Sequence, residues 1–90
     1  MNTIVMKFGG TSVAGTEKIR NIADIVIREV KNSKIIVVLS AMAGETNKLQ
    51  FLLDDFASQY SLESDLVLTS GEQVTIGLLS AQLKNKGLKS

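Results

Sequence analysis

The chain has 90 residues and a formal net charge of +1, with 44% hydrophobic and 21% charged residues. These values fit one small globular domain and exclude a multi-domain protein or a disordered tail. The chain has no cysteine and no histidine, which excludes disulfides, thiolate metal sites and histidine bases. Any catalysis must therefore use lysine, carboxylates, hydroxyls and backbone amides.

Two other classes of protein are disfavoured by the pattern of charge and hydropathy. No apolar run approaches the length of a transmembrane helix, and the N-terminus lacks the pattern of a signal peptide, so we expect a cytoplasmic location. No lysine or arginine occurs from Leu49 to Leu83, and aromatic residues make up only 4% of the chain. This pattern argues against a nucleic-acid surface, which needs clustered cations and aromatic platforms.

The first forty residues predict a βαβ unit. Thr3–Phe8 is an apolar, β-branched run that ends at Gly9-Gly10, as a buried strand does before a loop. Apolar residues at helical spacing then predict a helix from about Glu17 to Lys31, with Thr16 as a possible N-cap. Lys34–Leu39 is nearly all apolar, which is typical of a parallel strand covered on both faces.

A second loop and helix follow this strand. Ser40–Glu45 is small and flexible, and apolar residues between positions 49 and 56 predict a helix that begins near Thr46. Ser61–Thr69 fits a helix or a strand equally well. A last helix is predicted from about Gly71 to Lys86, with Gly87 as its C-cap.

The final residues, Gly87–Ser90, look like a turn that enters a third strand. Two parallel strands are too few for an independently stable sheet, and such a two-stranded sheet would have an unpaired edge. We therefore expect an α/β fold with a mostly parallel sheet, and a chain that is part of a larger α/β domain.

The first candidate for chemistry is the loop that follows the first predicted strand. Two glycines let the backbone turn and approach a ligand, and successive amides in such a turn bind anions. Lysine precedes the glycines, so the loop matches neither common nucleotide-binding glycine pattern. A simple strand-to-helix connection would explain the glycines equally well. The residues concerned are Lys7, Gly9, Gly10, Thr11 and Ser12.

Two further segments carry candidate polar groups. Ser40 and Thr46 flank the loop after the second predicted strand, where open parallel sheets bind ligands, although both could simply cap the following helix. Glu72 follows an apparent Ser70-Gly71 break and could bind a ligand ammonium, or it could be a first-turn acid that complements the helix dipole. Asp54-Asp55 has no companion ligands at metal-binding spacing and reads as solvated helix surface.

Three motifs in this order resemble those of the aspartokinases. Val5–Val13 (VMKFGGTSV) is similar to the N-terminal signature of that family, Val38–Asn47 (VLSAMAGETN) to its second strand and loop, and Leu68–Gln73 (LTSGEQ) to its Ser-Gly-Glu segment. The resemblance covers nearly the whole chain. It implies a three-layer αβα amino-acid-kinase (carbamate-kinase-like) fold, of which residues 1–90 would form the N-terminal substrate and phosphate-binding part.

The resemblance also implies an activity and the residues that serve it. Aspartokinases transfer the γ-phosphoryl group of ATP, with Mg²⁺ held mainly by the ATP phosphates, to the side-chain carboxylate of L-aspartate, the first step towards lysine, threonine and methionine. If the roles of the family's residues are transferred to the matching positions, Lys7 would be catalytic and would contact the phosphates. Gly9, Gly10, Thr11, Ser12 and Ser40 would surround the phosphates, Thr46 and Glu72 would bind aspartate, and no residue would be a metal ligand.

Length is where the chain departs from that family. The 90 residues contain no counterpart of the family's substrate-binding arginine, adenine site or regulatory ACT domains, so we expect an apparently truncated kinase domain without activity of its own. Full-length members form homo-oligomers, and this chain could need a complementing chain. Two alternatives stay open: a non-catalytic remnant or half of a split kinase, and a related enzyme that acts on glutamate or acetylglutamate.

Overall fold

The computed structural model describes residues 2–56 and 62–89. Two strands and three α-helices alternate along the chain, and a short 3₁₀ turn follows the first strand. Their bounds are β1 Asn2–Phe8, the 3₁₀ turn Gly10–Val13, α1 Thr16–Glu29, β2 Ser33–Leu39, α2 Glu45–Asp54 and α3 Leu62–Asn85.

The two strands form a parallel sheet. Their register pairs Asn2 with Ser33 at one end and Phe8 with Leu39 at the other. Helix α1 makes the crossover between them, so the predicted βαβ unit is confirmed. Because both strands run in the same direction, the loops after Phe8 and Leu39 leave the sheet at the same edge.

Helices α1 and α3 pack on one face of the sheet and enclose the core. Strand residues with inward side chains alternate with exposed ones, as the pleat requires. The buried core residues are Val13, Ile19, Ile22, Ala23, Val26, Leu79 and Leu83, and the partly buried residues packed against them include Met6, Phe8, Ile35, Val37 and Leu39.

The other face of the sheet carries apolar side chains that the described residues leave exposed. Val5, Ile36 and Val38 retain 58%, 47% and 43% of their accessible surface. Parallel sheets normally have both faces covered by helices. The described residues therefore supply the sheet and the helices on one of its faces.

Glycines, and not hydroxyl residues, stand before the first two helices. Gly15, with φ of 98°, is the N-cap of α1, and Gly44, with φ of 87°, is the N-cap of α2. Both backbones have positive φ, which a residue with a Cβ rarely adopts. Neither cap makes a side-chain hydrogen bond, so the prediction that Thr16 caps α1 and the alternative that Ser40 or Thr46 caps α2 are wrong.

Helix α3 is one continuous helix of 24 residues, Leu62–Asn85. The predicted break at Ser70-Gly71 is wrong, and the ambiguous segment before it is helical from Leu62 onward, while Ser61 lies outside the described residues. The hydroxyl residues Thr69 and Ser70, which suggested a turn, form hydrogen bonds to carbonyls of the same helix. Thr69 Oγ1 donates to Asp65 O at 2.8 Å, and Ser70 Oγ donates to Val67 O at 2.6 Å. Both hydroxyls thus have hydrogen-bond partners within a helix that continues past them.

Gly87, whose φ is 87°, caps the C-terminus of α3 as predicted. The N–H of Leu88 donates to the carbonyl of Leu83 at 2.9 Å, and the N–H of Gly87 donates to that of Lys84 at 3.0 Å. This pair of bonds is the Schellman motif. Leu88 and Lys89 are not in a strand and Ser90 lies outside the described residues, so the third strand stays a prediction.

Within residues 2–56 and 62–89, no helix has the length and apolar character needed to cross a membrane.

Candidate functional site

Two backbone hydrogen bonds join the loops that follow β1 and β2. The N–H of Ser40 donates to the carbonyl of Phe8 at 3.2 Å, which extends the strand pairing by one step. The N–H of Ala43 donates to the carbonyl of Gly10 at 3.0 Å. The two predicted loops are therefore held side by side at the carboxyl edge of the sheet.

Gly10 is the position where the two loops come closest. A Cβ there would lie 3.1 Å from the carbonyl oxygen of Ala41 and 3.3 Å from the amide nitrogen of Ala43. Both are backbone atoms, which cannot rotate away as a side chain can. Gly9 differs, since it has an extended backbone with φ of −80° and nothing within 4 Å of its Cβ position.

The 3₁₀ turn presents hydroxyl groups to solvent. The N–H of Ser12 donates to the carbonyl of Gly9 at 3.0 Å, which closes the turn. Val13, at its end, is completely buried in the core, whereas Thr11 and Ser12 are exposed. A packed valine thus holds in place a turn whose hydroxyls can donate to a ligand.

Lys7 and Ser40 lie on the same face of the sheet. Lys7 is paired with Val38 in the register, and Ser40 follows Val38 by two residues on an extended ladder. Side chains two apart on a strand point to the same face, and both Lys7 and Ser40 are exposed. An ammonium and a hydroxyl therefore stand at one edge of the sheet beside the glycine loop.

The middle of α3 contacts the second loop and the start of α2. A Cβ at Gly71 would lie 3.1 Å from the Cβ of Ala41, 3.3 Å from Cδ1 of Leu49 and 4.0 Å from the Cβ of Glu45. Thr46 and Glu72 are the next residues after Glu45 and Gly71, and both are exposed. The third motif is thereby brought next to the second.

Glu72 lies ten residues inside α3, so the alternative that it is a first-turn acid is wrong. The acidic residues in the first turn are Glu63 and Asp65. The attraction between a carboxylate and the helix dipole falls off within the first turn. The dipole does not account for a carboxylate at position 72.

Other charges near the site are paired along α2 or lie in solvent. Lys48 Nζ and Glu45 Oε1 are 3.3 Å apart, and Gln50 Nε2 donates to Asp54 Oδ1 at 2.9 Å. Asp54 and Asp55 are both exposed, as predicted for a solvated helix surface. Among the described residues, no group of three or more acidic side chains could hold a metal ion.

The sequence interpretation missed the packing of Ala41 and the backbone hydrogen bond of Ala43. Ala41 is 6% exposed and lies between Gly10 and Gly71, and Ala43 supplies the amide that bonds Gly10. The signal that could have identified them is the run of small residues after a strand, together with glycine inside a helical pattern.

The sequence model of the Amino acid kinase family matches residues 2–90, almost the whole chain. The chain belongs to the amino acid kinase family. It is 44% identical over 95 residues to an aspartokinase of Rickettsia felis and 48% identical over 89 residues to aspartokinase 2 of Bacillus subtilis. These alignments cover 100% and 97% of this chain. The similarity to aspartokinases inferred from the three motifs is confirmed.

A solved structure supports the same family at the level of the fold. The aspartate kinase from Synechocystis superposes with a TM-score of 0.86 at 38% identity, over 94% of this chain. The predicted fold class, part of an αβα amino-acid-kinase fold with a parallel sheet, is thereby confirmed. The chain spans 24% and 22% of the length of the two curated relatives and 15% of the solved chain.

The two neighbouring glycines should respond differently to the same substitution. We expect Gly10→Ala to lower the free energy of unfolding by about 1–3 kcal/mol, because the added methyl group meets backbone atoms of the second loop. Gly9→Ala is the matched control and should leave that free energy unchanged or raise it by up to about 1 kcal/mol. Urea denaturation of both variants measures the difference, and equal stabilities would contradict the close approach of the two loops.

Proposed function

We propose that the chain is the substrate and phosphate-binding part of an aspartate kinase, which phosphorylates the side-chain carboxylate of L-aspartate with ATP to form 4-phospho-L-aspartate. The observation that carries this proposal is the convergence of the three motifs at one edge of the sheet. The Ala43–Gly10 hydrogen bond joins the first two motifs, and the third lies beside them because Gly71 is packed so close to Ala41 that an added Cβ would stand 3.1 Å from the Ala41 Cβ. The similarity to aspartokinases over almost the full chain supports it.

The phosphate half of the proposed site is the loop after β1 together with Ser40. Lys7 would neutralise charge on the transferring phosphoryl group, which is the main requirement of phosphoryl transfer. The other groups would form its cradle: the backbone at Gly9 and Gly10, and the hydroxyls of Thr11, Ser12 and Ser40. The fit of a phosphate chain is supported by the exposed ammonium and hydroxyl donors of Lys7, Thr11, Ser12 and Ser40.

The substrate half would be Thr46 and Glu72. The Glu72 carboxylate has the charge needed to bind the α-ammonium of aspartate, and the Thr46 hydroxyl could hydrogen-bond the substrate. Both are exposed on elements that meet at Gly71. A cation at one end of the site and an anion at the other would orient a substrate that carries both charges.

The chemistry of this reaction suits a chain without histidine. An oxygen of the substrate carboxylate attacks the γ-phosphorus, and the bond from that phosphorus to ADP breaks. The nucleophile already carries its charge, so positioning and charge neutralisation suffice and no general base is required. Mg²⁺ would be held mainly by the ATP phosphates and would supply further neutralisation when bound.

The proposed reaction also defines what else the enzyme needs. An adenine site and a group that binds the substrate α-carboxylate would come from further parts of the kinase domain or from a complementing chain. The exposed sheet face of Val5, Ile36 and Val38 is one surface that such a part could cover. We further propose an N-terminal position for this region in the domain, a homo-oligomeric enzyme, a cytoplasmic location where ATP is available, and a role at the start of lysine, threonine and methionine synthesis.

The phosphate half can be tested with two lysines on the same face of the sheet. Lys7→Ala should weaken the binding of tripolyphosphate about tenfold, because it removes the cation beside the glycine loop. Lys34 is exposed on that face about 13 Å from Lys7 along the strand direction, so Lys34→Ala should leave the affinity unchanged. Calorimetric titration at low salt measures both, and equal losses in the two variants would argue for nonspecific attraction instead of a site.

The substrate half can be tested with two glutamates of α3. Glu72→Gln should weaken L-aspartate binding about tenfold, because the neutral amide no longer attracts the ammonium group. Glu63→Gln removes an exposed carboxylate from the first turn of the same helix and should have no effect. Nuclear magnetic resonance titration of the labelled chain gives the dissociation constants, and unchanged binding in Glu72→Gln would remove this residue from the proposed site.

The isolated chain should lack appreciable aspartate kinase activity. It spans under a quarter of the Bacillus subtilis relative, and the proposed site accounts for phosphates and substrate without a place for the adenine. A coupled assay of ADP release with ATP, Mg²⁺ and L-aspartate measures this directly. Steady aspartate-dependent release that is abolished by Lys7→Ala would contradict this expectation.

A further inference from the structure

Ala41 lies between the two halves of the proposed site and close to both. Its carbonyl oxygen lies 3.1 Å from where a Cβ at Gly10 would stand, and its own Cβ lies 3.1 Å from where a Cβ at Gly71 would stand. Ala41 is 6% exposed. One small residue thus lies between the phosphate loop and α3.

Gly71 has no conformational reason to be glycine. It lies inside α3 and is not among the glycines with positive φ, which are Gly15, Gly44 and Gly87. Glycine is unfavourable in a helix interior because its backbone loses the most freedom. What distinguishes the position is that a Cβ there would lie 3.1 Å from the Cβ of Ala41 and 3.3 Å from Cδ1 of Leu49. Both distances would be below the optimum of about 3.5–4.0 Å between carbon atoms, so an added methyl group would be crowded.

We propose that Ala41 and Gly71 form a positioning pair that sets the distance between Glu72 and the phosphate loop. This inference rests on the proposed function, in which Glu72 binds the α-ammonium of aspartate. A methyl group at position 71 would push α3 away from the loop by a few tenths of an ångström and carry Glu72 with it. The pair acts through Glu72 and does not itself touch the substrate.

Aspartate binding and tripolyphosphate binding should therefore respond differently to a substitution at Gly71. The phosphate loop is joined to the second loop by the Ala43–Gly10 hydrogen bond, which a shift of α3 does not break. A change at Gly71 should weaken aspartate binding and leave tripolyphosphate binding unchanged. A purely structural role for Gly71 would lower both affinities together, because both would follow the folded fraction.

Four variants of the chain test this pair: Gly71→Ala, Ala41→Gly, the double variant of these two, and Gly77→Ala. Gly77 is the matched control, since it lies on α3 with nothing within 4 Å of its Cβ position. Thermal unfolding reports folding, and nuclear magnetic resonance titrations with L-aspartate and with tripolyphosphate report the two halves.

We expect Gly71→Ala to raise the dissociation constant for aspartate about tenfold, in line with the sensitivity of binding geometry to small displacements. The constant for tripolyphosphate should stay within about twofold. The double variant should recover most of the aspartate affinity, because Ala41→Gly removes the methyl group that the new one meets. Gly77→Ala should bind both probes as the unmodified chain does.

Several results would contradict the proposed positioning role of Ala41 and Gly71. Unchanged aspartate binding in Gly71→Ala, equal losses for both probes, or a folded double variant without recovered affinity would each do so. If Gly71→Ala does not fold, Ala41→Gly decides, since it adds no atoms: it should weaken aspartate binding about threefold as α3 loses its spacer, and unchanged binding would reject the pair. Failure of the unmodified chain to bind aspartate would instead reject the proposed function, and the positioning role with it.

Discussion

The parallel pairing of β1 with β2 is the constraint on which the site depends. Phe8 is paired with Leu39 at the end of the ladder, and the N–H of Ser40 bonds the Phe8 carbonyl just beyond it. The two loops with polar groups therefore leave the sheet side by side. A register shift of one residue would exchange the two faces of a strand, and Lys7 would then point into the core while Met6 faced solvent.

Small residues allow the two loops and α3 to pack closely together at this edge of the sheet. Alternation along the extended ladder places the Ser40 side chain on the face of Lys7, while Ala41 is buried against α3. Gly10 and Gly71 each leave room for Ala41, one on its backbone side and one on its side-chain side. Packing and polar groups are thus divided between successive residues of one loop, which is packed against α3 through Ala41 and exposes the hydroxyl of Ser40.

The distribution of charge is consistent with the proposed reaction. Lys7 lies on β1, and Glu72 lies in a stretch of the chain that has no lysine or arginine. A substrate with an ammonium at one end and a carboxylate that receives phosphate at the other matches this separation. A chain without histidine can serve such a reaction because the nucleophile belongs to the substrate and the enzyme mainly has to position and neutralise.

The sequence by itself determined the βαβ unit, the parallel sheet, the Gly87 cap and the three motifs, because hydrophobic periodicity and glycine placement are local signals. The tertiary structure alone decided that α3 runs unbroken through Ser70-Gly71, that glycines precede α1 and α2, and that Ala41 lies between Gly10 and Gly71. Local propensity reads Thr69, Ser70 and Gly71 as a turn. In the structure their hydroxyls bond carbonyls of the same helix, and the packing of Gly71 next to the second loop depends on residues distant in sequence, which local propensity does not specify.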